Sequence, residues 1–413
     1  MEVRPGYKQT EVGVIPADWD NVALPTLAWY QEGPGVRNYQ FTSAGVKLFN
    51  GSNIEKGRID LEKTVRFISV REASGWYSHF LADAGDIVIA CSGVSIGRFH
   101  EKVSVLSNEH LPLCMNTSTM RFKITSPRLD DRYFLHFLRS QLFKKQIVGT
   151  ATGSAQLNFG PAHVGAAVVS IPPTKAEQEA IAGALSDADA LIDSLEQLLA
   201  KKRQIKQGAM QELLSGKKRL PGFSETWGLK EFGEIAYPRR KRVDPPQSAE
   251  HDFCVELEHI GQGTGNLLGH TTTSRDSSLK SVFEKEDVLF GKLRAYLRKY
   301  WLASRSGLCS TEIWALVAKR SIVIPTFLLQ IVQTDGFIEV ASSAYGTHMP
   351  RTDWNVVRKY NLSLPPLPEQ SAIAAVLSDM DAEIAALEAR LAKARQVKQG
   401  MMQELLTGRI RLV

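Results

Sequence analysis

Apolar residues fall at the same steps in two distant stretches of the chain. Ile181, Leu185, Ala188, Ile192, Leu195 and Leu199 follow one another at alternating steps of four and three, and so do Ile373, Leu377, Met380, Ile384, Leu387 and Leu391. Alternating steps of this kind are a heptad seam, and they predict two helices, each about 55 Å long at ~1.5 Å per residue. A stripe that long must be covered, and the obvious cover is the other helix. The alternative is that each stripe packs on its own globular domain. Both helices are punctuated alike. In "IPPTKAEQEAI" Thr174 and Glu177 stand at capping-box spacing, and in "LPPLPEQSAI" Pro368 falls in a first helical turn. Gly216 and Gly408 lie just past the helix ends, where a left-handed residue is favoured.

The polar positions repeat as well. Glu177 to Leu220 matches Glu369 to Leu412 without a gap and with roughly two-thirds identity, and "KQGAMQELLSG" at Lys206 returns as "KQGMMQELLTG" at Lys398. Asp187 is shared with Asp379 and Lys206 with Lys398, which predicts a second, polar surface common to both copies. Gly208 and Gly400 lie inside the helices, where each costs about 1 kcal/mol relative to alanine, so close backbone packing or a kink is expected there.

Upstream of each helix the echo is fainter. "VGVIPADWDNVAL" pairs with "RLPGFSETWGLKEF", "AGDIVIACSG" with "KEDVLFGKLR", and "TGSAQLNFG" with "YGTHMPRTDW". The repeating unit is therefore the half-chain of about 200 residues. Short β-rich runs such as "GDIVIA" and "STEIWALV" alternate with helical stretches such as "RYFLHFLRSQLFKKQIV". The expected fold is α+β or α/β, with two heads and two long helices in a pseudo-twofold repeat. The expected bounds are residues 1–170 for the first head, 171–216 for the first helix, 217–362 for the second head and 363–413 for the second helix.

A chain of 413 residues exceeds one core, and 43% apolar with 23% charged residues is a globular rather than a disordered composition. The first residues lack an apolar leader and no run approaches the ~18 apolar residues of a membrane span, so a cytoplasmic protein is expected. Cys91, Cys114, Cys254 and Cys309 form no C-x-x-C pair and read as small buried residues. The formal charge of +6 leans toward a polyanionic partner.

A DNA methyltransferase is one rival class, invited by "VDPPQ" at Val243 and "HIGQGTG" at His259. Gln247 stands where a stacking aromatic would grip a flipped base, and no helix-forming run follows the glycines as a nucleotide loop requires. Nuclease and hydrolase classes lack a phosphate loop and paired metal-ligating histidines. A pure coiled-coil scaffold leaves the heads unexplained.

Variable heads on matched helices, with "YKQTEVGVIPADW", "VLFGKLRAYL", "STEIWAL", "PPLPEQSAIAAVLSDMDAEI" and "KQGMMQELLTGRIRL", resemble the specificity subunits of type I restriction-modification systems along essentially the whole chain. The resemblance implies two target-recognition domains, each reading half of a bipartite site in double-stranded DNA, on an antiparallel helix pair. It implies docking of two adenine-methylating modification subunits, and of restriction subunits that translocate DNA. Catalysis is then expected on those partners, with S-adenosylmethionine, ATP and magnesium, and none on this chain.

Base reading needs hydrogen-bonding and cationic side chains on fixed loops. In the first head the candidates are Ser92, Ser95 and Arg98 with Ser154, Gln156 and Asn158; Gln and Asn can pair bidentately with adenine and Arg with guanine. In the second head they are Lys292, Arg294, Tyr296 and Arg298 with Thr347, His348 and Arg351. The run Arg239, Arg240, Lys241 and Arg242 is a candidate phosphate clamp.

Overall fold

The computed structural model describes residues 4–62, 64–151, 156–244, 253–272, 278–343 and 350–412. Two compact units divide the chain, residues 1–195 with 390–413 and residues 196–389. The division falls within both long helices, Lys175–Leu213 and Leu367–Leu405. Each unit is therefore a head joined to the opening turns of one helix and the closing turns of the other.

In the first unit the apolar run "IVIA" becomes strand Ile87–Ala90, buried at every residue. It lies inside an antiparallel sheet ordered Val103–Val105, Ile87–Ala90, Thr119–Ile124, Ala28–Glu32. A smaller sheet sets Leu113–Met115 parallel to Val46–Phe49, with Phe67–Ile68 antiparallel beyond. The stretch expected to be helical forms two helices, Asp131–Arg139 and Gln141–Val148. Ser140 divides them because its backbone is extended and its hydroxyl accepts the Phe143 N–H, which begins a second helix in place of continuing the first.

The second unit repeats the plan. Its antiparallel sheet is ordered Ala236–Pro238, Ile313–Ala318, Val288–Gly291, Tyr300–Leu302. A second sheet again holds one parallel pair, Cys254–Val255 with Gly307–Ser310. Antiparallel pairing dominates both units, so of the two expected classes the fold is α+β.

The seam residues of the helices have two kinds of cover. Ile181, Ala182 and Leu185 join the core of the first unit, and Ile373, Ala374 and Leu377 that of the second. The opening turns thus pack on their own heads. The closing turns of the other helix join the same cores through Leu405 and Leu406 in the first unit and Leu213 in the second, and polar contacts between the paired segments repeat by position. In the first unit Arg411 binds Glu177 and Lys398 binds Asp189; in the second Arg219 binds Glu369 at 2.6 Å and Lys206 binds Asp381 at 2.5 Å. Within each unit the opening of one helix therefore runs antiparallel to the end of the other.

Two expectations change at this point. Lys206 and Lys398 keep only 13% and 17% of their side chains exposed and serve this pairing, so they are not part of a shared outer surface. Asp187 and Asp379 do remain exposed. A methyl group built on Gly208 or Gly400 meets no other atom within 4 Å, so close packing inside the chain does not explain either glycine. The helix ends match the expectation: Gly216 and Gly408 have φ of +70° and +67°, which only glycine adopts freely.

Candidate nucleic-acid interface

In each unit, the loop after the central strand and the loop preceding the long helix are hydrogen-bonded together. In the first unit the strand ends at Ala90 and Gly93 turns the chain at φ +67°. The Ser92 hydroxyl and the Gly93 N–H both donate to Asn158 Oδ1 at 2.9 Å. Val94–Ser95 pairs with Gln156–Leu157, which sets Ser95 opposite Gln156. Ser92, Ser95, Arg98, Gln156 and Asn158 are all exposed on this surface. Asn158 also holds these loops in place through its carboxamide oxygen and so positions the others. Ser154 lies outside the described residues.

The second unit joins the corresponding loops through the backbone. Lys292 N–H donates to Glu312 O at 2.9 Å, Arg294 N–H to Pro350 O at 3.0 Å and Thr352 N–H to Lys292 O at 2.8 Å, while Leu293 bridges Arg351. Arg294 and Arg298 are left-handed, with φ of 55° and 50°, and flank the tight turn Ala295–Leu297. The Arg294 and Tyr296 side chains emerge into solvent beside Lys292. Thr347 and His348 lie outside the described residues.

Three of the expected DNA-contacting arginines are engaged elsewhere. Arg239 grips Asp287 at 2.8 and 3.1 Å and Glu284 at 3.1 Å, and these bonds raise its pKa above the ordinary arginine value. Arg298 donates to Gln333 O at 3.0 Å and pairs with Asp335. Arg351 forms a fork on Glu312 at 3.1 Å through both contacts. In each case a carboxylate distant in sequence supplies the planar partner a guanidinium prefers. The other three residues of the expected clamp, Arg240, Lys241 and Arg242, are exposed and make no ion pair among the described residues. The acids missed by sequence reading, Glu284 and Asp287, stand in "FEKEDVLF", and their signal was the echo of Asp86, which likewise holds Arg121 at 3.0 Å.

The rival chemistry finds little support in the geometry. "HIGQGTG" closes as a hairpin, with Ile260 bridging Leu267 and Gly261 N–H donating to Asn266 O, and among the described residues no helix follows it directly. Pro245, Pro246 and Gln247 lie outside the described residues. The four cysteines are buried and form no disulfide among the described residues, and burial pushes the thiols of Cys91 and Cys114 up to about 12. Among the described residues no three His, Cys, Asp or Glu side chains gather as a metal site, and no helix is long and apolar enough to cross a membrane. A cleft of about 1100 Å³ in the second unit is lined by Arg203, Lys206 and Arg298, each already paired, with Glu388, Asp381 and Asp335.

Comparison with known proteins points one way. Residues 225–396 match the family model described as "Type I restriction modification DNA specificity domain". The MjaVIII type I restriction enzyme specificity subunit of Methanocaldococcus jannaschii is 29% identical over 214 residues, 52% of this chain and 49% of that protein. The EcoDI specificity subunit of Escherichia coli is 25% identical over 200 residues, 47% of this chain and 44% of that protein. The chain thus spans about half the length of these two relatives. A type I restriction-modification S subunit from M. genitalium, 15% identical, shares the fold with a TM-score of 0.59 over 98% of each chain. In its repeated half-chains, its matched domain and these likenesses, the chain is similar to the type I restriction-modification specificity subunits.

Proposed function

We propose that the chain is the DNA-reading, non-catalytic subunit of a type I restriction-modification complex. One observation carries this reading: the two heads present different chemistry from the same frame. The paired loops offer hydroxyl and amide groups with Arg98 in the first unit, and Lys292, Arg294 and Tyr296 in the second. Their scaffold, down to the ion pairs Lys398–Asp189 and Lys206–Asp381, is repeated. A repeated frame with unlike reading surfaces suits a bipartite, asymmetric DNA site.

Identical exposed residues on the helices would serve partners that bind twice. Gln204, Gln207, Gly208 and Gln211 correspond to Gln396, Gln399, Gly400 and Gln403, all exposed. Two modification subunits would dock there, with restriction subunits completing a cytoplasmic complex. S-adenosylmethionine, ATP and magnesium would belong to those partners.

The test is reconstitution. The purified chain alone should transfer no methyl group, and with modification subunit and S-adenosylmethionine it should direct adenine methylation to one bipartite sequence. Exchanging residues 221–362 for the second head of another family member should alter one half of that sequence only. Methyl transfer by the isolated chain, or a change in both halves, overturns the reading.

A further inference from the structure

The first head carries an exposed strip that neither candidate loop includes. It begins at a cleft of about 440 Å³ whose lining includes Asn50, Ser52, Ser118 and Arg66, together with Ser92 of the reading loop. The cleft is held in shape by its own bonds: Ser118 Oγ accepts the Gly51 N–H at 2.9 Å and Asn116 Nδ2 donates to Asn50 Oδ1 at 2.8 Å. Arg66 stands at its rim, exposed, with its guanidinium carbon 5.2 Å from the centre of the Phe41 ring. That cation–π contact orients the side chain without neutralising it.

From Phe41 the strip continues through a short hydrogen-bonded relay. Tyr77 OH donates to Gln40 Oε1 at 3.0 Å, and Gln40 Nε2 donates to Glu72 Oε1 at 3.1 Å. These bonds set the turn Asn38–Gln40 beside helix Val70–Ser74. The residues preceding the two bonded partners, Tyr39 and Trp76, are 86% and 87% exposed, and Val65 on the cleft wall is 80% exposed. Large aromatics held almost wholly in water mark a surface that something covers. Arg37 caps the turn that carries Tyr39, Arg71 lies in helix Val70–Ser74 and Arg66 stands against Phe41, all exposed and none ion-paired among the described residues. Elsewhere in the same unit Arg58, Arg121, Arg128 and Arg139 are each matched by an aspartate. Glu72, the acid within the strip, is occupied by Gln40 and by the Ser69 hydroxyl.

We infer that Arg37, Arg66 and Arg71, with Tyr39 and Trp76, form a second DNA-contact strip in the first head, which grips the sugar-phosphate backbone of the duplex next to the base pairs faced by Ser92, Ser95 and Gln156. The inference rests on the DNA-reading function proposed above. Charge selects the occupant: unpaired arginines interleaved with exposed aromatics suit a polyanion that also offers flat sugar and base surfaces, and the shared cleft makes the strip continuous with the reading loops.

Binding of the full chain, alone and with modification subunit, to duplexes carrying the methylated site tests this across a salt series. R66A and R71A should each weaken binding equally on cognate and half-site-substituted DNA, and each should flatten the salt dependence by about one. W76A and Y39A should weaken binding with the salt slope unchanged. Q156A, in the reading loop, should instead alter preference within the first half-site. If Q156A alters preference while R66A, R71A and W76A bind as the parent does, the strip is wrong and the DNA-reading function stands. If no variant changes binding because the chain recognises no DNA, the underlying function fails. If Y39A and W76A change self-association or subunit binding and leave DNA affinity intact, the strip is a protein contact and the inference is overturned. The four strip side chains substituted are all exposed, so the fold should survive, and unchanged thermal unfolding of each variant verifies this.

Discussion

Arg294 is exposed in a left-handed conformation that non-glycine residues seldom adopt, whereas Arg298, equally left-handed, is tied to Gln333 and Asp335. Arg294→Gly should therefore relieve backbone strain, raising stability by up to about 1 kcal/mol in denaturant unfolding. The same change should cost recognition of the second half-site about 1 to 3 kcal/mol if the arginine meets a base, or weaken all sequences alike if it meets a phosphate. Binding to single-substituted sites at several salt concentrations separates the two. His136 makes a pH prediction. It is buried with its Nε2 3.2 Å from Ser186 Oγ, and burial, aided by Arg139, lowers its pKa from 6.5 to about 4. Between those values the unfolded chain holds a proton that the folded chain rejects. Stability from this group is complete above about pH 6.5 and should fall by up to about 3 kcal/mol as the pH drops toward 4. Urea unfolding at pH 7 and pH 5 should show the loss, and His136→Asn should flatten it. At this scale the sequence supplied the cations and not their state. Arg239 lies 48 residues from Asp287, and only the fold sets them 2.8 Å apart.

Both long helices could be read with their ends because the signals are local: Thr174 does accept the Glu177 N–H at 3.3 Å, and the left-handed glycines do stop the helices. The capping box closes only halfway, since the Glu177 carboxylate turns to Arg411. The interior glycines yield a prediction of their own. Because a methyl group at Gly208 or Gly400 meets open space, alanine at either position should raise stability by about 1 kcal/mol, read by denaturant unfolding. If these glycines admit a partner's backbone, larger side chains such as Gly208→Leu should leave the fold intact and abolish docking of one modification subunit, which mass measurement of the reconstituted complex would show. The faint head repeats were harder to read. Their strands are short, and the same sheet order in both units is built from pairings between residues far apart in the chain.

Each long helix is one continuous element of the chain whose residues fall in both units, and this gives a measurable property. Duplicating four residues after Leu199 would add one turn, about 6 Å, to the first helix. If the helices set the distance between half-sites, the unread spacer should lengthen by about one or two base pairs, since each further pair also rotates the duplex. The half-sequences themselves should not change. Mapping methylated adenines in cells carrying this variant checks both statements, and an unaltered spacer with altered half-sequences would show that the helices do not measure the site.

The sequence by itself determined what depends on neighbours along the chain: two capped helices with one seam, the half-chain repeat, buried cysteines, and the location of the four loops. Tertiary structure decided what depends on neighbours in space. It turned Lys206 and Lys398 from surface residues into interhelical partners of Asp381 and Asp189. It paired Arg239, Arg298 and Arg351 with carboxylates distant in sequence. It also assembled the Arg66 and Trp76 strip from two segments with no shared motif. The reason is physical. Helix periodicity and capping act within a few residues, whereas the availability of a charge depends on the nearest opposite charge, and the folded chain chooses that neighbour.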